Sequence, residues 1–317
     1  MKRRVVVRIT DNAAASIGAM PAIGMKYSWK PCRQRLRINT KAEFIMKIMN
    51  PSEPNEKLLY VYDRGSGYET ELHLSDALSA LVPTDDLVHP DHRLFQIAHL
   101  VTEYAWVAIH HTMCGIAEAL AQDELVSALR LIKRAKRLAA WPTSSIRILV
   151  DTLPQASFLE MRAGFPEGSS GLDSPGARSV RKAAHVVWDT FEKTLAGHGF
   201  QIADLTSATV PGHSGALGTE LLAEIAMELH QFDSAMVEWK QLHLNMVWQL
   251  LGGHPGVSGC PAGDPDRPKS MRGRPLADLE RLAVRPLFPG LWQGSTAMYR
   301  SFGGDARLAG LSPSGAK

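Results

Sequence analysis

The sequence predicts an all-α fold, a helical bundle, and three observations carry that reading. Apolar residues from position 90 onward recur at three- and four-residue steps, alternating apolar and polar strands are absent from the same region, and Gly/Pro-rich stretches punctuate the periodic segments. Leu94, Ile97, Ala98, Val101, Tyr104, Ala105, Ala108, Ile109 and Thr112 mark the first long helix, with Pro90 and Asp91 suited to its first turn. A second helix fits about 123–140, and Pro142 predicts a break before a third at 143–152. A short fourth fits 154–163. After a Gly/Ser/Pro loop at 164–177, helices fit 178–197 and 218–251. From Gly252 the chain reads as loop, with one short helix at about 275–284.

Four regions follow: a basic extension at 1–48, a polar arm at 49–88 in which 58–63 suits a short strand, a helical domain at 89–300, and a tail at 301–317. Of 317 residues, 45% are hydrophobic, enough for a sizeable core. Residues 1–48 hold eleven Lys/Arg against Asp11 and Glu43, a net +9, which leaves −6 for 49–317 out of the whole-chain +3. Such a leader suits an organelle transit peptide or a nucleic-acid arm; its blander reading is an unstructured extension or an upstream start, with Met46 or Met49 as the real beginning. Cys32, Cys114 and Cys260 form no CxxC or zinc-finger spacing, and no apolar run reaches the ~20 residues of a membrane span. The expectation is a cytoplasmic protein without membrane or nucleic-acid partners.

Few residues offer chemistry. In the last long helix an apolar stripe runs Leu229, Phe232, Met236, Trp239, His243, Met246, Leu250. A histidine on such a face is either a satisfied core residue or a ligand, since a neutral imidazole in a water-free bundle suits a metal. Phe95 and His99 share a face of the first helix. Arg178 opens a helix after the Ser/Gly loop, and is either a bidentate carboxylate clamp or a solvated surface residue. GHSGA and GSSGL are not GxSxG, no HExxH occurs, and no Gly-rich loop follows a strand.

In order, these segments resemble the tryptophan 2,3-dioxygenase superfamily of heme-dependent aromatic oxygenases. Phe95, His99, Glu103 and Trp106 resemble its early-helix motif. Phe158-Leu-Glu-Met-Arg162 and Ser170-Gly-Leu-Asp-Ser174 through Arg178 are similar to its FLEFR helix and Ser-Gly loop, and His243, Gly252 and Gly256 to its heme helix. The resemblance covers roughly 89–260. It implies a helical bundle enclosing heme b (iron protoporphyrin IX), O2 as co-substrate, an aromatic amino acid substrate such as tryptophan, and a homotetramer. It also implies His243 as iron ligand with Trp239, Met246 and Gly256 around the cofactor, and His99 as the catalytic distal histidine. Phe95 becomes a wall for the substrate ring, Arg178 the carboxylate anchor, and Val257 and Ser258 part of the substrate loop.

Departures narrow the expectation. Val257 replaces the threonine of the family's Gly-Thr-Gly-Gly-Ser loop, and the lead into the FLEFR-like helix reads Thr152-Leu-Pro-Gln-Ala-Ser157. Both favour a specialised relative, a monooxygenase or hydroxylase of tryptophan or tyrosine derivatives. His110 and Cys114 make the His-x-x-x-Cys step that tethers heme in some hydroxylases, but on the wrong helix; the matching position after His243 is Val247. A heme sensor without turnover and a cofactor-free helical scaffold stand as alternatives.

Overall fold

A computed structural model describes residues 47–62, 66–166, 171, 174–208, 217–257, 267–271 and 273–301. The chain divides into Met1–Glu43 and Phe44–Lys317, and all described residues belong to the second unit.

Among the described residues only four form strands. Lys47–Ile48 (β1) pairs antiparallel with Val61–Tyr62 (β2), inside the segment expected to be extended. Two short helices follow, Gly67–Leu72 (α1) and Leu74–Ser79 (α2), where only a polar arm was expected. The body consists of His92–Ala121 (α3), Leu125–Leu138 (α4), Ala140–Thr152 (α5), Gln155–Gly164 (α6), Pro175–Gly197 (α7), Ile202–Ala208 (α8), Leu217–Leu251 (α9), Leu276–Ala283 (α10) and Pro289–Ser301 (α11). No described helix is long and apolar enough to cross a membrane.

Local chemistry explains where the expected boundaries moved. The expected break before the third helix falls at Ala139, between α4 and α5, and Pro142 sits in the first turn of α5, where its missing N–H has no intrahelical partner to lose. α7 begins at Pro175, earlier than expected, because the Ser174 side chain accepts the Ala177 N–H at 3.0 Å and caps it. α11 falls where the sequence reads as loop. Gly290 belongs there for a tertiary reason: a Cβ would lie 2.3 Å from Cζ2 of Trp188.

α3 packs mainly on α7 and α4, and α9 on α4 and α5. Two buried clusters result. The larger, around Trp106, Ile109, Ile132, Phe191, Phe232 and Phe288, joins α3, α4, α7, α9 and the start of α11. The smaller joins Ala98 of α3, Ile146 and Leu149 of α5, Met161 of α6, and Leu242 and Met246 of α9. Trp239 packs against both and marks the seam between them.

The C-terminal segment is held down by Asp233, a fully buried carboxylate on α9. Its Oδ1 accepts the Leu287 N–H at 2.8 Å, and its Oδ2 accepts Phe288 N–H at 2.9 Å and Trp292 Nε1–H at 3.0 Å. Removing the acceptor strands three donors, each costing about 1–3 kcal/mol. Asp233→Ala is therefore expected to destabilise the fold by roughly 3 kcal/mol or more, read as a fall in the denaturant midpoint. A change below about 1 kcal/mol would mean that water replaces the carboxylate at no cost.

Candidate functional site

A cavity of about 320 Å³ opens at the seam, walled by α3, α5, α7, α9 and the segment from Leu279 to Pro289. α3 contributes Ala98, His99, Thr102, Glu103 and Trp106; α9 contributes Met236, Trp239, Lys240, His243 and Met246. Both sets follow helical spacing, so one face of each helix looks inward.

The two histidines line the same chamber from different helices. His99 Nδ1 lies 2.7 Å from the Phe95 carbonyl, and since a carbonyl only accepts, Nδ1 carries the proton and Nε2 keeps its lone pair. Burial lowers the His99 pKa, and the Phe95 bond and the charge of Glu103 partly offset this. Its ring has open surface, yet it is deep in the protein, because that surface faces the cavity. His243 is pushed down to about 4, first by burial and then by His99. Among the described residues neither of its ring nitrogens has a hydrogen-bond partner, and Trp239 stacks on it with centroids 5.6 Å apart and 23° between planes. Trp106 meets Trp239 edge-on at 4.9 Å.

Glu103 is the one acidic lining residue. Its Oε2 accepts the Gly176 N–H at 3.2 Å and ties α3 to the start of α7. A Cβ on Gly176 would come 2.5 Å from that of Trp106, so only glycine permits this approach. Three cations also line the cavity, Arg181 from α7, Lys240 from α9 and Arg285, with His185 one turn after Arg181. Lys240 Nζ donates to the Arg285 carbonyl. Burial lowers the Lys240 pKa, Asp233 raises it, and Arg181 lowers it further. Among the described residues neither Arg181 nor Lys240 has an ion-pair partner.

Beside His99 lies an aromatic cluster. Phe95 sits 4.2 Å from the His99 ring, 5.9 Å from Phe158 and 5.4 Å from Phe165, and His92 packs on Phe165 at 5.3 Å. Arg162, one turn after Phe158 on α6, donates to the Lys269 carbonyl at 2.8 Å.

The structure thus brings His99, His243, Trp239 and Met246 to one cavity, with Phe95 directly behind His99. It does not place Arg178 there. Arg178 is exposed and outside the lining, because it lies about 200° around α7 from the inward-facing Gly176. Arg181, one turn on, faces the cavity instead. Gly256 and Val257 are exposed and outside the lining, and Ser258 lies outside the described residues. Arg181 and Lys240 were missed; Lys240, a lone lysine beside the apolar stripe of α9, was the available signal.

Fold and cavity define a helical protein with a deep apolar chamber, a neutral unpartnered histidine within it and unpaired cations among its lining. No family model matches the chain. It is similar to tryptophan 2,3-dioxygenases of Kineococcus radiotolerans (28% identity over 194 residues, 60% of this chain and 64% of that protein), Anaeromyxobacter sp. (24% over 264 residues, 71% and 93%) and Saccharopolyspora erythraea (34% over 117 residues, 37% and 41%). The match thus spans under two thirds of the Kineococcus relative. At family level the chain is related, at low identity, to proteins of that name.

His243 yields a prediction for the cofactor-free chain. Its folded pKa of about 4 lies below the ordinary 6.5, so the unfolded chain binds the extra proton between those values and stability falls as pH drops through that window. The contribution is on the order of 3 kcal/mol above pH 6.5. His243→Phe should flatten this part of the stability–pH curve, and an unaltered slope would place the titration elsewhere.

Proposed function

We propose that this protein is a heme-dependent oxygenase that inserts oxygen from O2 into an aromatic amino acid, tryptophan or a close relative. The observation that carries the reading is His243, a neutral imidazole that has no hydrogen-bond partner among the described residues and faces a cavity walled on its side by Trp239, Met246 and Leu149. Heme b is an apolar plate with an axial position for a nitrogen ligand and two carboxylates at one edge. Each demand has an answer in the cavity: His243 for the iron, Trp239, Met246 and Leu149 for the plate, and Arg181 with Lys240 for the carboxylates. Among the described residues no three metal-ligating side chains cluster, so the remaining ligands of an iron here would come from a macrocycle. When bound, heme supplies the activation of O2; the chain supplies orientation, exclusion of water and a proton acceptor.

That acceptor is His99. With Nδ1 committed to Phe95, Nε2 offers a lone pair to a substrate N–H or O–H, and its lowered pKa keeps it available at neutral pH. Phe95, Phe158 and Phe165 supply apolar surface for an aromatic ring next to it. Arg178, implied by resemblance as carboxylate anchor, and Arg162 both lie outside the cavity lining; we assign the role to Arg162, the less exposed of the two and the one beside the Phe95–Phe158 cluster. Arg162 shares its helix with Phe158, and a bond to one carbonyl leaves further N–H donors for a carboxylate. Replacement of a hydroxyl by Val257 supports a specialised relative, so dioxygenation and hydroxylation are both within the proposal. A homotetramer and a cytoplasmic setting belong to it by resemblance alone.

Two measurements test the reading. His243→Ala should lose most heme absorption while keeping a helical spectrum, whereas His99→Ala should keep heme and lose turnover; full heme occupancy in His243→Ala removes the iron assignment. The second compares amino acid with decarboxylated amine by the shift each causes in the heme spectrum. A charge-assisted pair contributes about 1.5–3 kcal/mol, roughly ten- to a hundred-fold. Arg162→Ala should weaken the acid by that factor and spare the amine, with Arg178→Ala near wild type; the opposite pattern returns the role to Arg178.

A further inference from the structure

Between Leu125 and Val150 the chain has no acidic residue and six basic ones. The fold sorts the five of α4, and the sixth, Arg147, is exposed on α5, about 100° around the helix from the row that the arginines form. Lys133 pairs with Glu224 of α9 at 2.6 Å, and Lys136 with Glu228 at 2.5 Å and Gln231 at 2.7 Å, so the lysines clamp α4 to α9. Arg130, Arg134 and Arg137 are exposed, and among the described residues none has an ion-pair partner. Their spacing of four and three residues sets them one above another along α4. One turn further, Trp141 is 53% exposed in the first turn of α5. Ala139 between the helices keeps right-handed helical dihedrals (φ −62°, ψ −16°), so the stripe continues across the junction. Two turns later α5 contributes Leu149 to the cavity wall.

We propose that the Arg130–Arg134–Arg137–Trp141 face docks a small acidic one-electron carrier protein. This rests on the oxygenase reading, in which O2 binds only ferrous iron: the reduced carrier loses one electron, ferric heme iron gains it, and no atom or proton moves. Three observations select this partner. Arginine and tryptophan are the residues that dominate protein interfaces, and one-turn spacing suits a row of carboxylates. A membrane surface needs a continuous apolar face to insert, whereas Leu125, Ala128, Leu129, Ile132 and Ala135 of α4 are all buried in the core and, of large apolar side chains, only Val126, Trp141 and Ile148 stand exposed, singly, along the arginine row. A duplex engages phosphates over a long track, whereas this row holds three arginines within about two turns of α4, the extent of a small acidic face.

The test uses the full chain loaded with heme and a purified acidic [2Fe–2S] ferredoxin, measured by calorimetry at low and physiological salt, with ferric-to-ferrous reduction followed spectrally. A Kd below about 100 µM at low salt, weakened by salt, is expected. R134E should weaken binding and slow reduction roughly tenfold and W141A severalfold, while R147E, the same charge change off the stripe, should stay within about twofold. The proposal is overturned by equal losses in R134E and R147E, by no binding at low salt, or by tighter binding of anionic vesicles or duplex DNA to the same arginines. Failure of the heme reading shows separately, as a chain that takes up no heme while the calorimetry still reports on the stripe.

Discussion

Asp233 is the constraint on which the cavity depends. A carboxylate with no solvent contact is costly unless donors surround it, and here two backbone amides and an indole N–H converge on it. The donors come from the turn into α11 and from α11 itself. They fix Leu287 against α9, and the neighbouring Arg285, Pro286 and Pro289 become part of the cavity wall. Without that clamp the segment would keep its apolar contacts and the bonds from Lys240 and Gln241 to the Arg285 and Ala283 carbonyls, and would lose the three hydrogen bonds that fix Leu287, Phe288 and Trp292 against α9. Phe288, fully buried in the larger core cluster, supplies the apolar half of the same attachment.

The polarity of the cavity follows from which helices face it. α3 and α9 present one histidine each among apolar neighbours, so burial acts on both imidazoles in the same direction, and His99 further disfavours a proton on His243. A pair of neutral rings is the outcome, one with its proton fixed on Nδ1 by a carbonyl and one uncommitted. The uncommitted ring is the better ligand and the committed ring the better base. Cations line it because α7 and α9 each carry one on the face turned to the cavity, and Lys240 feels Arg181 as a repulsion. An anionic edge brought between them would relieve that repulsion, which gives an amphiphilic plate a single favoured orientation.

Legibility in the sequence followed the range of the interaction involved. α9 was readable along its whole length because Leu217–Leu251 carries an unbroken apolar stripe, with Gly252 and Gly253 in left-handed conformation just past its end. His99 and His243 were readable as candidates from their faces, and Phe95 from its spacing to His99. Arg178 and Arg181 could not be told apart in the sequence for a reason of phase: which arginine of α7 lines the cavity depends on where Gly176 meets Trp106, a contact between residues seventy positions apart. α11 was invisible because its Pro289-Gly290 start looks like a turn until Trp188 is seen to occupy the space a side chain would need. Pro142 was readable as the mark of a helix boundary, and the boundary lies three residues upstream, at Ala139, because proline is tolerated in the first turn of the helix that follows.

The exposed position of Val257 bears on specificity. Gly252 and Gly253 both adopt φ near +80°, which turns the chain sharply out of α9, and Arg267 fixes the turn by donating to the Gly253 carbonyl and pairing with Glu280. The returning segment brings the Lys269 carbonyl to Arg162. Arg162 is thus held against a wall built from the 267–280 region as well as from α6. Val257 lies just past the same turn, exposed and outside the cavity lining. On the proposed oxygenase reading, valine there leaves the amino end of a substrate without a hydroxyl at that position, and this is the ground on which the reading admits substrates modified at their nitrogen.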